Sequence, residues 1–197
     1  MTAEMRGTGI GIVGDIPWGT HLCHFYETKE DLLDILIPYF KAGVENNEFC
    51  LWLVDDLLSV EEARSALRRA VPEADRYLEE DRIDIIPHTE WYFKDGALNL
   101  ERLISGWNEK LADTQAKGYA GLRANGNVSW LLEENWEDFS LYEKALDEMI
   151  ANRRMIVLCS YPLSGAGAAE ILRHGDAPAA APVLVDRLVG PPGRSGQ

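Results

Sequence analysis

The segment GTHLCHFYET, Gly19 to Thr28, sets two histidines and a cysteine within four positions. These donor types serve metal ions, proton transfer and thiol chemistry alike. Strand geometry separates them: side chains alternate between faces, so His21 and Cys23 share one side while His24 and Tyr26 share the other. A single ion cannot easily take His21, Cys23 and His24 together, and a metal here would have to recruit Cys159 or His88 from elsewhere. The competing reading is a core strand with satisfied imidazoles. On this spacing no metal and no cofactor is expected.

Nucleophilic and phosphate chemistry fare no better. Cys159 lies inside the apolar run IVLCSY, where a thiol reads as a small buried side chain, and a reactive thiolate needs an exposed, electropositive setting that this acidic chain does not offer. A phosphate loop requires GxxxxGK[ST] between a strand and a helix. The segment in that slot is FYETKEDLL, which has Thr28 and Lys29 but no glycine to let backbone amides wrap a phosphate, and Glu27, Glu30 and Asp31 repel one. No enzymatic turnover is expected. Arg123 in GLRAN offers a guanidinium to a ligand carboxylate, or to Asp55 or Glu143 in a structural ion pair.

Alternating periodicities supply the frame for these residues. THLCHFY reads as a strand, followed by a helix capped at Thr28 and carrying an awkward interior Pro38. FCLWLV reads as a doubly buried strand, and Ser59 with Glu62 forms a capping box for the next helix. IDIIP is a short strand. Asn99 opens a helix with an apolar stripe through Leu103, Trp107 and Leu111 that stops at Gly118. GLRAN, a helix from Asn135, the strand MIVLCSY, a helix AAEILRH and the strand PVLVDRLV complete the series.

Strands separated by helices imply right-handed crossovers and a mostly parallel sheet flanked by helices, a three-layer α/β fold. Ligands in such folds sit at the carboxyl ends of the strands. That edge is expected to gather His21 to Tyr26, Asp55 and Asp56, His88 with Trp91 and Tyr92, Arg123 to Trp130, and Cys159 to Tyr161. Trp91 and Trp130 fall in expected loops, where aromatic walls with polar tips suit a small organic ligand. Trp107 and Trp136 read as core.

The 197 residues carry 46% hydrophobic side chains, enough for one sizeable core, and a formal net charge of −14. That field repels nucleic acid and anionic lipid, and no basic cluster interrupts it. No apolar run is long enough for a signal peptide or a membrane span, so a cytoplasmic protein is expected. Three cysteines without CxxC spacing argue for reduced thiols. Residues 1–14 read as a flexible leader, 15–190 as the domain and 191–197 as a frayed tail.

The segments GTHLCHFYETKEDLLDILIPYFKAGVENNEFCLWLV, GLRANGNVSWLL, LYEKAL and IVLCSYPL, in that order, resemble the MEDS domain, a DcmR-like sensory domain of methanogen and methylotroph regulators. The resemblance implies a bacterial or archaeal signalling module that senses a simple hydrocarbon derivative. It also implies a partner such as a histidine kinase, an anti-sigma factor or a transcription regulator, and a RecA/KaiC-like fold with an eroded phosphate loop. Carried over, the family's recurrent positions fall on His21, Cys23, Tyr26, Glu48, Arg123, Trp130, Glu143, Cys159 and Tyr161. The usual His-Pro near the domain end is His174-Gly175 here. The expected ligand-binding set is therefore His21, Cys23, Tyr26, His88, Trp91, Arg123, Trp130, Cys159 and Tyr161. A non-catalytic sensor is the first reading, ahead of a degenerate nucleotide-binding domain and of a metal-dependent sensor using His21 and Cys23.

Overall fold

A computed structural model describes residues 4–94, 96–131, 136–164 and the backbone of 181–183. The chain runs β1 (Met5–Gly7), β2 (Asp15–Pro17), β3 (His21–Tyr26), α1 (Lys29–Glu45), β4 (Phe49–Val54), α2 (Val60–Ala70), α3 (Ala74–Glu79) and β5 (Ile83–Pro87). It continues through α4 (His88–Tyr92), α5 (Leu100–Ala116), β6 (Leu122–Asn127), α6 (Trp136–Ile150), β7 (Met155–Pro162) and β8 (Ala181–Val183). The expected helix AAEILRH, the expected start at Asn135 and the tail lie outside the described residues. No helix among the described residues is long and apolar enough to cross a membrane.

The larger sheet has the order β5-β4-β6-β7-β3-β8, and every neighbouring pair is parallel. All residues of β3, β4 and β6 are buried, because helices cover both sides of the sheet. On one side α1, α2 and α3 pack with Leu22, Tyr26, Trp52 and Leu158. On the other, α5 and α6 pack with Cys23, Leu51, Ala124, Val157 and Cys159. The three-layer α/β architecture read from the sequence is the one observed, and the larger sheet is parallel throughout.

Local signals set the helix ends. Thr28 accepts a hydrogen bond from the Asp31 amide while the Asp31 carboxylate accepts one from the Thr28 amide, a capping box at the start of α1. Ser59 and Glu62 do the same for α2. α5 stops just before Gly118, whose φ of 83° places it in the left-handed region that favours glycine. Trp91, expected in a loop, lies on the short helix α4.

Residues 1–14 were read as a flexible leader, but β1 and β2 form an antiparallel hairpin tied to the body of the domain. The tie is Arg123, the second residue of β6. Its Nε donates to Glu48 Oε2 at 2.5 Å, its Nη2 to the Gly7 carbonyl at 2.9 Å and its Nη1 to the carbonyls of Tyr39 and Thr8. Arg6 donates to the other Glu48 oxygen at 2.8 Å. Gly9 lies so close to α1 that a Cβ there would meet the Pro38 carbonyl at 2.0 Å. Arg123 thus pairs with Glu48, not with Asp55 or Glu143, because it sits at the amino end of its strand beside the start of β4.

Arg123 and Glu48 are both fully buried, and removing one partner of such a pair strands the other's charge. Arg123→Ala is expected to cost about 3–5 kcal/mol, measured as a fall in the urea midpoint. Limited proteolysis of the same variant should cut between residues 4 and 18 first, because three of the guanidinium's bonds anchor the hairpin or the helix beneath it.

Candidate functional site

Between α6 and the sheet lies a polar cluster inside an otherwise apolar layer. In α6, Phe139, Tyr142, Glu143, Leu146 and Ile150 recur at helical spacing and are all buried, so Glu143 occupies a core position. One turn further on, Asp147 follows along the same edge of the helix. Across from them, parity turns His21 and Cys23 of β3 and Cys159 and Tyr161 of β7 toward α6.

His21 Nδ1 is 2.6 Å from Asp147 Oδ1, and its Nε2 is 3.2 Å from Cys159 Sγ and 3.5 Å from Glu143 Oε2. The Cys159 thiol contacts Glu143 Oε1 at 3.5 Å, and the Tyr161 hydroxyl donates to Glu143 Oε2 at 3.0 Å. Burial opposes a charged His21, but the carboxylates of Glu143 and Asp147 outweigh it and raise its pKa. Burial raises the Glu143 pKa despite His21 and Tyr161. Burial and the Glu143 charge together hold Cys159 as a thiol, and Cys23 is held likewise.

Aromatic rings wall the cluster on its carboxyl side. Trp130 packs against Tyr92, Phe93 and Phe139 at centroid distances of 4.9, 4.8 and 5.7 Å, and its indole donates to the Asn127 carbonyl. Tyr161 is tilted against Phe25 and edge-on to Phe139, at centroid distances of 5.6 and 6.4 Å. Gly126 makes room for the Tyr92 hydroxyl, which a Cβ would meet at 2.6 Å. That hydroxyl is buried and has no hydrogen-bond partner of good geometry.

A second polar group faces α1. Asn125 Nδ2 donates to the Leu158 carbonyl at 2.8 Å and to Ser160 Oγ at 3.0 Å, and His24 Nδ1 lies 3.4 Å from the same hydroxyl. Tyr26 donates to Asn127 Oδ1 at 3.2 Å. His24 Nε2 and Asn125 Oδ1 are buried without protein partners.

The nine expected ligand-binding residues therefore do not share one edge. His21, Cys23, Cys159 and Tyr161 come together under α6, with Trp130 at the carboxyl end of that layer. Tyr26 and Arg123 face α1, Tyr26 at the carboxyl end and Arg123 at the amino end. His88 and Trp91 belong to α4: His88 lies 3.3 Å from the Val54 carbonyl, and Trp91 packs on Trp107 beside a cleft of about 610 Å³ between α4 and α5. Reasoning from residue types and spacing missed Asp147 and gave Glu143 no place beside His21. The signal for Glu143 was present, a carboxylate on the apolar stripe of α6.

Residues 20–174 match the family model described as the methanogen/methylotroph DcmR sensory domain, MEDS. The chain belongs to the MEDS family. No curated protein matches it significantly. Among solved structures it is similar to a KaiC-like protein of the hyperthermophilic archaeon Pyrococcus horikoshii OT3, with a TM-score of 0.58 and 16% identity over 87% of this chain and 79% of that one. At that identity the likeness is one of fold. Of the positions carried over from MEDS, five meet under α6 as His21, Cys23, Glu143, Cys159 and Tyr161, and two meet at the hairpin as Glu48 and Arg123.

The α1-facing group gives this MEDS domain a pH signature. Burial lowers the His24 pKa from 6.5 to about 4 against the opposing charge of Asp31. Between those values the unfolded chain binds the proton and the folded chain does not, so stability is full above 6.5 and falls as pH drops toward 4. A shift of this size corresponds to roughly 3 kcal/mol. Urea midpoints followed down this range should fall less steeply for His24→Gln than for the parent. Identical acid limbs would assign the loss to other groups.

Proposed function

We propose that the chain is a non-catalytic signal-transduction sensor that receives a small organic molecule on the α6 side of the sheet and passes its occupancy to a partner protein. Membership of a sensory family supports the role. The observation that carries the site is the ionisable cluster of His21, Glu143 and Asp147, with Cys159 and Tyr161, set in a layer of apolar side chains. Burying such groups costs more than burying hydrophobic residues of equal volume, so stability alone gives no reason to keep them there. The aromatic wall of Tyr92, Trp130 and Phe139 supplies the apolar contact that a small hydrocarbon derivative needs. α6 carries two members of the cluster, so a molecule that alters their contacts shifts this helix against the sheet. The partner that reads the shift is a signalling protein such as a histidine kinase, an anti-sigma factor or a transcription regulator.

Two features favour sensing over turnover. Both thiols on this face are held protonated by burial and by acidic neighbours, which denies them nucleophilic character. At the junction of β3 and α1, Lys29 is ion-paired with Glu62 at 2.8 Å, and the amides that would greet a phosphate already serve the capping box.

Thermal-shift screening of short alcohols, methylated amines, halomethanes and aromatic acids should therefore yield a stabilising hit. At a hundredfold excess over Kd the gain is about 2.7 kcal/mol. Trp130→Ala and Tyr161→Phe should each reduce it, and a hit that neither variant affects places the site elsewhere. The same preparation is expected to show no ATP or GTP hydrolysis. Turnover abolished by Lys29→Ala would replace the sensory reading with an enzymatic one.

A further inference from the structure

We propose that His21 Nε2, Glu143 and Cys159 Sγ form a binding site for one transition-metal ion of the Zn2+ class, enclosed between α6 and strands β3 and β7. The three donor groups lie within 4.8 Å of one another, and all three residues are buried. Their closest approaches are 3.2 Å from nitrogen to sulfur, 3.5 Å from nitrogen to oxygen and 3.5 Å from sulfur to oxygen. A tetrahedral ion with bonds of about 2.0–2.3 Å holds its ligands roughly 3.3–3.7 Å apart. The nitrogen contact is to Glu143 Oε2 and the sulfur contact to Oε1, so the imidazole and the thiol stand at the spacing of two tetrahedral ligands, and the carboxylate completes the face by turning one oxygen toward both. A single strand offers only two donors per face, and that limit is lifted here because β7 and α6 supply Cys159 and Glu143.

The surroundings point the same way. Asp147 Oδ1 lies 2.6 Å from His21 Nδ1, a contact that favours a proton on Nδ1 and points Nε2 toward Cys159 and Glu143. A carboxylate on the far nitrogen is the usual support of a metal-bound histidine. Tyr161 holds the Glu143 carboxylate through its hydroxyl at 3.0 Å. Each ligand that needs orienting therefore has an orienting partner.

The same contacts also trace a cysteine–histidine–aspartate relay, the arrangement of a thiol nucleophile. That alternative is poorer here, since Cys159 is 1% exposed and faces a carboxylate that disfavours its thiolate. A divalent cation reverses the disadvantage. As the ion binds, the Cys159 S–H bond and, in the charged imidazole, the His21 Nε2–H bond break, their protons leave to solvent, and the thiolate with the Glu143 carboxylate then neutralises the ion. Mixed nitrogen, oxygen and sulfur donors select Zn2+ or a similar first-row ion over Mg2+ and Ca2+, which prefer oxygen alone. With three protein ligands a fourth position stays open for an exogenous molecule.

The site does not depend on the organic-ligand reading, because it is tested with metal alone. Chain purified under reducing conditions and stripped with chelator is titrated with Co2+. The expected result is a thiolate-to-cobalt charge-transfer band with intense tetrahedral d–d bands, both displaced by Zn2+, and about one Zn2+ retained per chain after desalting. Cys159→Ser should abolish the charge-transfer band, whereas Cys50→Ser, on the opposite face of the sheet, should leave it intact. Asp147→Asn acts by positioning His21, so it should keep the band and weaken affinity ~10–100-fold. The Asp147→Asn titration serves as the test if Cys159→Ser does not fold by circular dichroism. Absence of metal uptake by the parent, a band that persists in folded Cys159→Ser, or unchanged affinity in Asp147→Asn would overturn the proposal.

Discussion

A strand covered by helices on both faces has no water on either side, so every polar side chain it carries must find its partner within the protein. Strands β3, β4 and β6 are buried along their whole length, yet they and β7 carry His21, His24, Arg123, Asn125, Asn127 and Ser160. This constraint governs the rest of the structure. It explains why the polar residues occur in groups, and why each group joins the sheet to a particular neighbour: the hairpin through Arg123 and Glu48, and α6 through His21, Glu143 and Asp147.

The groups differ in what they leave over. At the amino end the Arg123 guanidinium spends its donors on one carboxylate and on backbone carbonyls, an arrangement that is complete as fastening. Under α6 the donors are softer and less fully used. A thiol, an imidazole nitrogen and a carboxylate crowd together at more than three ångströms, where neutral hydrogen bonds are long and a cation would fit. The distinction is one of chemistry as well as place. Fastening at the hairpin is achieved by a charge that matches its partner, whereas the α6 cluster shares its protons among an imidazole, a thiol, a hydroxyl and two carboxylates.

Sequence pattern revealed the elements better than their arrangement. The capping residues Thr28, Ser59 and Asn99, the doubly buried FCLWLV and the glycine stop at Gly118 are local signals, and the helices and strands follow them. Strand parity likewise placed His21 and Cys23 on one face and His24 and Tyr26 on the other. Strand order is a different kind of information. That β3 lies beside β7, and so sets Cys23 opposite Cys159, depends on crossovers that no local signal encodes. The pairing of His21 with Asp147 spans 126 residues, and the bond of Arg123 to Gly7 spans 116. Strand ends were legible in type but not in height: His21 begins β3 and Arg123 is second in β6, so both fall away from the carboxyl edge. The hairpin was missed for a related reason, since its strands are only three residues each and their anchor lies in β6.

Fold likeness to a KaiC-like protein therefore carries little about chemistry here, and the β3–α1 junction shows why. The amino end of a helix following a parallel strand is the natural anion site of an open α/β sheet. In this chain only Glu27 and Thr28 separate β3 from α1, and the Asp31 carboxylate supplies from within the protein the negative charge that a bound anion would bring. Lys29 points its charge to Glu62 on α2. With that end of the helix closed by its own side chains, a cluster of buried ionisable groups lies deeper, where His21, Cys159 and Tyr161 of β3 and β7 meet Glu143 and Asp147 of α6. The buried ionisable side chains of this layer thus sit at the seam between the sheet and α6, away from the loop at the sheet's edge.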